Sequence, residues 1–235
     1  MKNILIASTS TLHGSSYLEY LFEDLADFFK DTNEIIFIPY ARPSGISYDD
    51  YTMKVSEAFS KINKQIKGLH TFKNPVEAIE NAQALFVGGG NTFVLLYQLY
   101  KNNLVGVLGK AIKKGTPYLG TSAGSNICGL TIKTTNDMPI VYPPSFNALG
   151  VVPFNINPHY LDPDSNSKHM GETRETRIME FHHFNTQPVI GLREGSWLYV
   201  KGNSIVLKGD LTARIFERNK VPYEVNPGTE LNTLK

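Results

Sequence analysis

The pentapeptide Gly120-Thr121-Ser122-Ala123-Gly124 fits the pattern G-x-S-x-G and follows the short apolar run Pro117 to Gly120. Where a strand turns sharply into a helix, the serine at the apex is held in a strained conformation with its hydroxyl presented outward. Small neighbours let the backbone pass close to itself and to a substrate. The helix behind such a turn aims its free N–H groups and the positive end of its dipole at the same point. On this reading Ser122 is a nucleophile and the Ala123 N–H an oxyanion donor. The competing reading is a chance match in a turn rich in glycine and serine.

A second small-residue loop, Gly88-Gly89-Gly90-Asn91-Thr92, follows the apolar run Ala84 to Val87. It lacks the G-x-G-x-x-G spacing of a dinucleotide site, and no Gly-Lys-Ser/Thr follows for a P-loop. A structural tight turn would explain it. So would a second oxyanion donor, from Gly90, beside the nucleophile turn, and that role complements Ser122.

A serine nucleophile needs a base, and the base an orienting acid. Of the six histidines, His159 stands in Asn157-Pro158-His159-Tyr160, just past the apolar run Val151 to Ile156, at the expected end of a strand. His13, His70, His169, His182 and His183 compete. His182 and His183 close a helix, where an imidazolium simply suits the negative dipole end, and His70 falls in an expected strand remote from the motifs. Asp137, in Thr134-Thr135-Asn136-Asp137-Met138-Pro139, and Glu194, in Leu192-Arg193-Glu194-Gly195, are the acid candidates. Either alone also reads as an ordinary solvated acid. Arg174 and Arg177 lie one turn apart on one helix face, placed to grip a substrate carboxylate or to pair with Glu172, Glu175 or Glu180. No H-x-x-x-H or H-E-x-x-H spacing occurs, so neither a metal nor a cofactor is expected.

The elements that must carry these residues follow from periodicity. Strands are expected at Lys2 to Ser8, Glu34 to Tyr40, Ala84 to Val87 and Pro117 to Gly120, with a weak one at Leu69 to Phe72. Leu18, Leu21, Phe22, Leu25 and Phe29 recur at helical spacing, which predicts a helix over 16–29. Further helices are expected near 55–66, from Asn74-Pro75 onward, at 93–100 and at 105–114. This alternation predicts an α/β fold: a mainly parallel sheet with helices on both faces. After residue 131 the pattern loosens into a helix over 173–184 and strands near 189–192, 196–200, 204–207 and 213–217. No linker or repeat divides the chain, so residues 1–235 are expected to form one domain.

Composition narrows the setting. The chain has 235 residues, 41% hydrophobic and 19% charged, with a formal net charge of +1 and one cysteine, Cys128. No basic run invites nucleic acid or an anionic membrane. No stretch is long enough for a membrane span or a signal peptide, and a lone cysteine fits a reducing compartment, so cytoplasm is expected.

Taken together, the segments at 88–92, 120–125 (Gly-Thr-Ser-Ala-Gly-Ser), 134–139, 157–159 and 171–174 (Gly-Glu-Thr-Arg) resemble the α-aspartyl dipeptidase, or peptidase E, family, in order and spacing from Met1 to about residue 216. Cyanophycinases are more distant relatives. The resemblance implies a fold related to class I glutamine amidotransferases, with serine in place of their cysteine. It also implies hydrolysis of small dipeptide substrates with an N-terminal aspartate. By motif match Ser122 is the nucleophile and His159 the base. The third member is matched at either Asp137 or Glu194. The acid-before-histidine order of α/β-hydrolases favours Asp137. The acid-after-histidine order of amidotransferase-like folds favours Glu194, with Asp137 then beside the substrate amine. An esterase or amidase on another small acyl substrate is the rival enzyme. A ligand-binding protein of the same fold is the rival outside enzymes, although it would need neither Ser122 nor His159.

Overall fold

The computed structural model describes every residue except Ser165, Ser167, His169 and Lys235. His169, one of the competing histidines, therefore lies outside the described residues. In chain order the elements are β1 (Asn3–Ala7), α1 (Phe22–Phe28), β2 (Glu34–Ile38), α2 (Tyr48–Ser60), β3 (Gln65–Gly68), α3 (Pro75–Glu80), β4 (Leu85–Val87), α4 (Thr92–Lys101) and α5 (Val105–Lys114). They continue with β5 (Tyr118–Thr121), α6 (Ala123–Asn126), β6 (Asn155–Pro158), α7 (Arg174–Phe184), β7 (Val189–Leu192), β8 (Ser196–Lys201), β9 (Ser204–Gly209), β10 (Ala213–Phe216) and β11 (Tyr223–Val225).

The main sheet has seven strands in the order β3-β2-β4-β5-β1-β8-β9. The five from β3 to β1 are parallel, and β8 and β9 close the edge as an antiparallel hairpin. The parallel strands are apolar at successive positions because both faces are covered. Ile4, Ile6, Ile36, Ile38, Leu85 and Val87 join one core, with residues of α3, α4 and α5. Leu5, Ala7, Ile35, Phe37 and Phe86 point the other way, into a core shared with α1 and α2. Helices thus lie on both faces, as the alternation predicts.

A second sheet, β11-β10-β7-β6, contributes Ile156, Ile190, Leu192, Ala213 and Ile215 to the first of these cores. In it β6 and β7 run parallel and in register to their ends, with Pro158 opposite Leu192. Whatever follows β6 therefore emerges beside whatever follows β7.

Several expectations are corrected. The helix over 16–29 begins late: Leu18 sits at φ 60° and a 3-10 turn over Glu19–Leu21 precedes α1. The weak strand moves from 69–72 to β3, and Leu69–Thr71 forms a 3-10 turn. The segment 151–156 is mostly a loop, and the strand before His159 is β6. One further strand, β11, lies in the stretch after Phe216, where no element is expected. Among the described residues no helix is long and apolar enough to cross a membrane.

Candidate active site

Three neighbouring strands deliver one face of the site. The glycine loop leaves β4, Ser122 leaves β5 and Ser8 leaves β1, all at the carboxyl ends of parallel strands, where open α/β sheets place their ligands. Ser122 stands between β5 and α6 at φ 54°, ψ −111°, the mirror image of extended backbone, which only glycine adopts without strain. Its N–H donates to Ala7 O at 3.2 Å, and Ser125 Oγ bonds both Ala7 O (2.6 Å) and Gly120 O (2.7 Å) behind it. The flanking glycines are required by close approach. A Cβ on Gly124 would collide with the Val87 carbonyl, and one on Gly120 would come within 2.5 Å of Gly124 O.

The glycine loop is equally constrained. Gly90 has φ 146° and abuts the Ala41 carbonyl; a Cβ on Gly89 would lie 3.0 Å from Ser122 Cβ. The loop therefore passes directly over Ser122. Among the described residues, the Gly90 and Ala123 N–H groups donate to no protein acceptor.

The second sheet delivers the other face. Ser122 Oγ lies 2.7 Å from His159 Nε2, and His159 Nδ1 lies 2.6 Å from Glu194 Oε1. A carboxylate only accepts, so Nδ1 carries the proton and donates to Glu194, which leaves Nε2 to accept from the Ser122 hydroxyl. This assembly follows from β6 and β7 ending side by side, with His159 and Glu194 one and two residues past their ends.

Asp137 is elsewhere. Its Oδ2 accepts from the Thr92 N–H at 2.7 Å and from Thr135 Oγ1 at 3.1 Å, at the N-terminus of α4. Among the described residues it makes no hydrogen bond to His159. Its neighbour Asn136 instead braces β6, donating to Pro158 O at 2.7 Å and accepting from Asn157 Nδ2 at 2.8 Å. Neither asparagine was singled out from sequence; the signal available was a run of polar residues, Thr134 to Asn136, that nonetheless packs inward.

Arg174 opens α7 half-buried, and among the described residues its guanidinium makes neither hydrogen bond nor ion pair. Burial and the nearby Arg177 lower its pKa, and the charge of Asp137 acts the other way. Arg177 is exposed and lies 3.7 Å from Glu172. Both arginines line a cavity of about 410 Å³ with Leu161, Asp162 and Thr173. The other histidines have different employment: His70 pairs with Asp49 at 2.8 Å, buried His182 bonds Gln187 O at 3.1 Å, and His13 and His183 are exposed. No cluster of three or more His, Cys, Asp or Glu among the described residues is arranged to hold a metal ion.

An ion network backs the site. Arg193, next to Glu194, grips Asp162 with Nε and Nη2 at 2.8 and 2.6 Å, and Glu224 with Nη1 and Nη2 at 2.9 and 3.0 Å. Glu224 also accepts from Arg214 at 3.1 Å, and Arg214 bonds Glu175, beside Arg174, at 2.8 Å. Burial alone would raise the Glu224 pKa, but hydrogen bonds from Arg193, Thr212 and Arg214 outweigh it and hold the carboxyl at about 2.

A serine on a strand–helix turn, a histidine and a carboxylate in a hydrogen-bonded row on an α/β scaffold are the parts of a serine-type hydrolase. The sequence profile of Peptidase family S51 matches residues 4–208, and the chain belongs to that family. It is 47% identical to a protein named Peptidase E from Streptomyces coelicolor, over 99% of this chain and 94% of that one. It is 45% identical to a probable alpha-aspartyl dipeptidase of Drosophila melanogaster, over 99% and 97%. Two solved structures share the fold. One is a putative peptidase E protein from Listeria monocytogenes (TM-score 0.64, 21% identity, 89% of this chain and 98% of that one). The other is a peptidase from an acI-B1 Actinobacterium (TM-score 0.71, 16% identity, 98% and 96%).

Proposed function

We propose that the protein hydrolyses dipeptides whose first residue is aspartate, with Ser122 as nucleophile, His159 as base and Glu194 as the acid that orients it. The carrying observation is the unbroken row Ser122–His159–Glu194, with contacts of 2.7 and 2.6 Å. The names of the relatives support the substrate class.

In the proposed reaction His159 Nε2 takes the Ser122 proton as Oγ attacks the carbonyl carbon of the aspartyl residue. The Gly90 and Ala123 N–H groups receive the oxyanion, and each such donor contributes on the order of 3 kcal/mol in comparable sites. Glu194 balances the imidazolium. His159 then protonates the leaving amine, the C–N bond breaks, and a water activated by the same imidazole hydrolyses the acyl-enzyme. No step calls for a cofactor.

Arg174 is the proposed contact for the aspartate side chain, with Arg177 in reserve. A cation with no protein partner among the described residues, partly withdrawn from water, favours a carboxylate over an uncharged amide, which would leave it unpaired. Asp137, opposite in charge and within reach of Arg174's field, is the proposed contact for the free amine. A reducing, cytoplasmic setting accords with the lone cysteine.

The experiment is a comparison of Asp-Leu with Asn-Leu for wild type and Arg174→Met. Wild type turns over Asp-Leu and discriminates against Asn-Leu, and the variant loses that discrimination. Undiminished preference for Asp in the variant would move the pocket elsewhere. Equal turnover of both dipeptides by wild type would overturn the substrate assignment.

A further inference from the structure

Ser8 is fully buried, 0% exposed, immediately past β1. A hydroxyl there must have both its proton and a lone pair engaged to offset its removal from water. Both are engaged, and by the other sheet. Ser8 Oγ donates to Leu192 O at 2.7 Å and accepts from the His159 N–H at 2.9 Å. Its own N–H donates to Ser196 O at 3.1 Å, beyond Glu194. One residue earlier, Ala7 O accepts the Ser122 N–H. The last residue of β1 and the one after it thus contact the chain at the nucleophile, at the base, and on either side of the acid.

We infer that Ser8 is a positioning residue for the Ser122–His159–Glu194 row. His159 holds φ at 54°, a left-handed conformation that a histidine keeps only when its surroundings impose it. The β6–β7 ladder ends at Pro158 and Leu192, so past that point the His159 N–H has lost its strand partner. The Ser8 hydroxyl supplies the missing acceptor. The same oxygen donates to the Leu192 carbonyl, which also receives the Tyr160 N–H at 3.1 Å. Base and acid are therefore referenced to one atom anchored beside the nucleophile. Alanine at position 8 would fill nearly the same space, but it would orphan the His159 N–H and leave the imidazole free to swing.

The role of His159 rests on the function proposed above, so the test includes a readout that needs no substrate. Ser8→Ala, Ser8→Thr and wild type are compared by kcat and KM on Asp-Leu, by melting temperature, and by the downfield proton resonance of His159 Nδ1–H shared with Glu194. In Ser8→Ala the resonance broadens or disappears, kcat falls on the order of 100-fold, as small misplacements of reacting groups cause, and KM changes little. Ser8→Thr, which keeps the hydroxyl, restores the resonance and most of kcat. Should Ser8→Ala melt too low to assay, Ser8→Cys carries the same comparison, because a thiol of similar shape is a weak donor and acceptor. A lower melting temperature with resonance and kcat unchanged makes Ser8 a packing residue and overturns the inference. Loss of the resonance in a protein whose wild type ignores Asp-Leu upholds the positioning role and rejects the substrate assignment alone.

Discussion

Ser122 and His159 hold the same backbone angle, φ 54° in each, and face one another across 2.7 Å. A positive φ is uncommon for any residue with a side chain, and a sparsely populated backbone conformation costs on the order of 1–3 kcal/mol. The strain is borne at the two groups that must meet, and their neighbours impose it: Ala7 O on the serine, Ser8 Oγ on the histidine.

The strain at Ser122 gives a prediction with opposite signs for stability and activity. Ser122→Ala abolishes hydrolysis and leaves the fold intact. Ser122→Gly is equally inactive but gains on the order of 1 kcal/mol, since glycine occupies φ 54°, ψ −111° without strain. Thermal or denaturant melts of the two variants check this. A glycine variant no more stable than wild type would mean the turn stores nothing.

The two acids separate kinetically. Glu194→Gln removes the negative charge that balances the imidazolium and offers His159 Nδ1 an amide donor that selects the wrong tautomer, and kcat falls on the order of 10³-fold or more. Asp137→Asn still accepts the Thr92 N–H through its amide oxygen, so the first turn of α4 stays satisfied. The loss there falls mainly on KM, through the substrate amine. Steady-state kinetics on Asp-Leu decide between them: a larger kcat loss at Asp137 than at Glu194 transfers the orienting role.

The network behind the site sets an acid limit. Glu224 titrates at about 2 in the folded protein against an ordinary value of 4.5. A depressed carboxyl contributes stability that is complete above the unfolded pKa and is lost as pH falls through the folded one. The contribution therefore fades between about pH 4.5 and 2. Glu224→Gln is less stable than wild type at pH 7, and the gap narrows across that window; denaturation curves at a series of pH values test it. A gap that stays constant would mean the carboxylate's charge plays no part.

Cys128 reports folding without disturbing the site. It is fully buried just past α6, and burial pushes its thiol up to about 12, only partly countered by the Tyr118 hydroxyl. The thiolate is the reactive form. Native protein therefore resists thiol reagents at pH 8 and reacts once unfolded, with a denaturant midpoint matching the loss of activity. Rapid labelling of active enzyme would contradict the burial.

The spacing of chemical groups along the chain was enough to single out Ser122, because a strand–turn–helix signature is local: Gly120 and Gly124 are demanded by backbone atoms a few residues or one strand away. The same holds for the parallel α/β scaffold, whose doubly buried strands announce themselves as continuous apolar runs. The choice between Asp137 and Glu194 was not local. Both sit in loops with similar neighbours in sequence, and only the pairing of β6 with β7 in parallel register brings Glu194 to the imidazole, while Asp137 goes to the N-terminus of α4. Ser8 was invisible for the same reason. A single serine at the end of an apolar strand looks like any strand terminus until a second sheet, built from residues more than 140 positions later, folds back and hands it a carbonyl and an amide to hold.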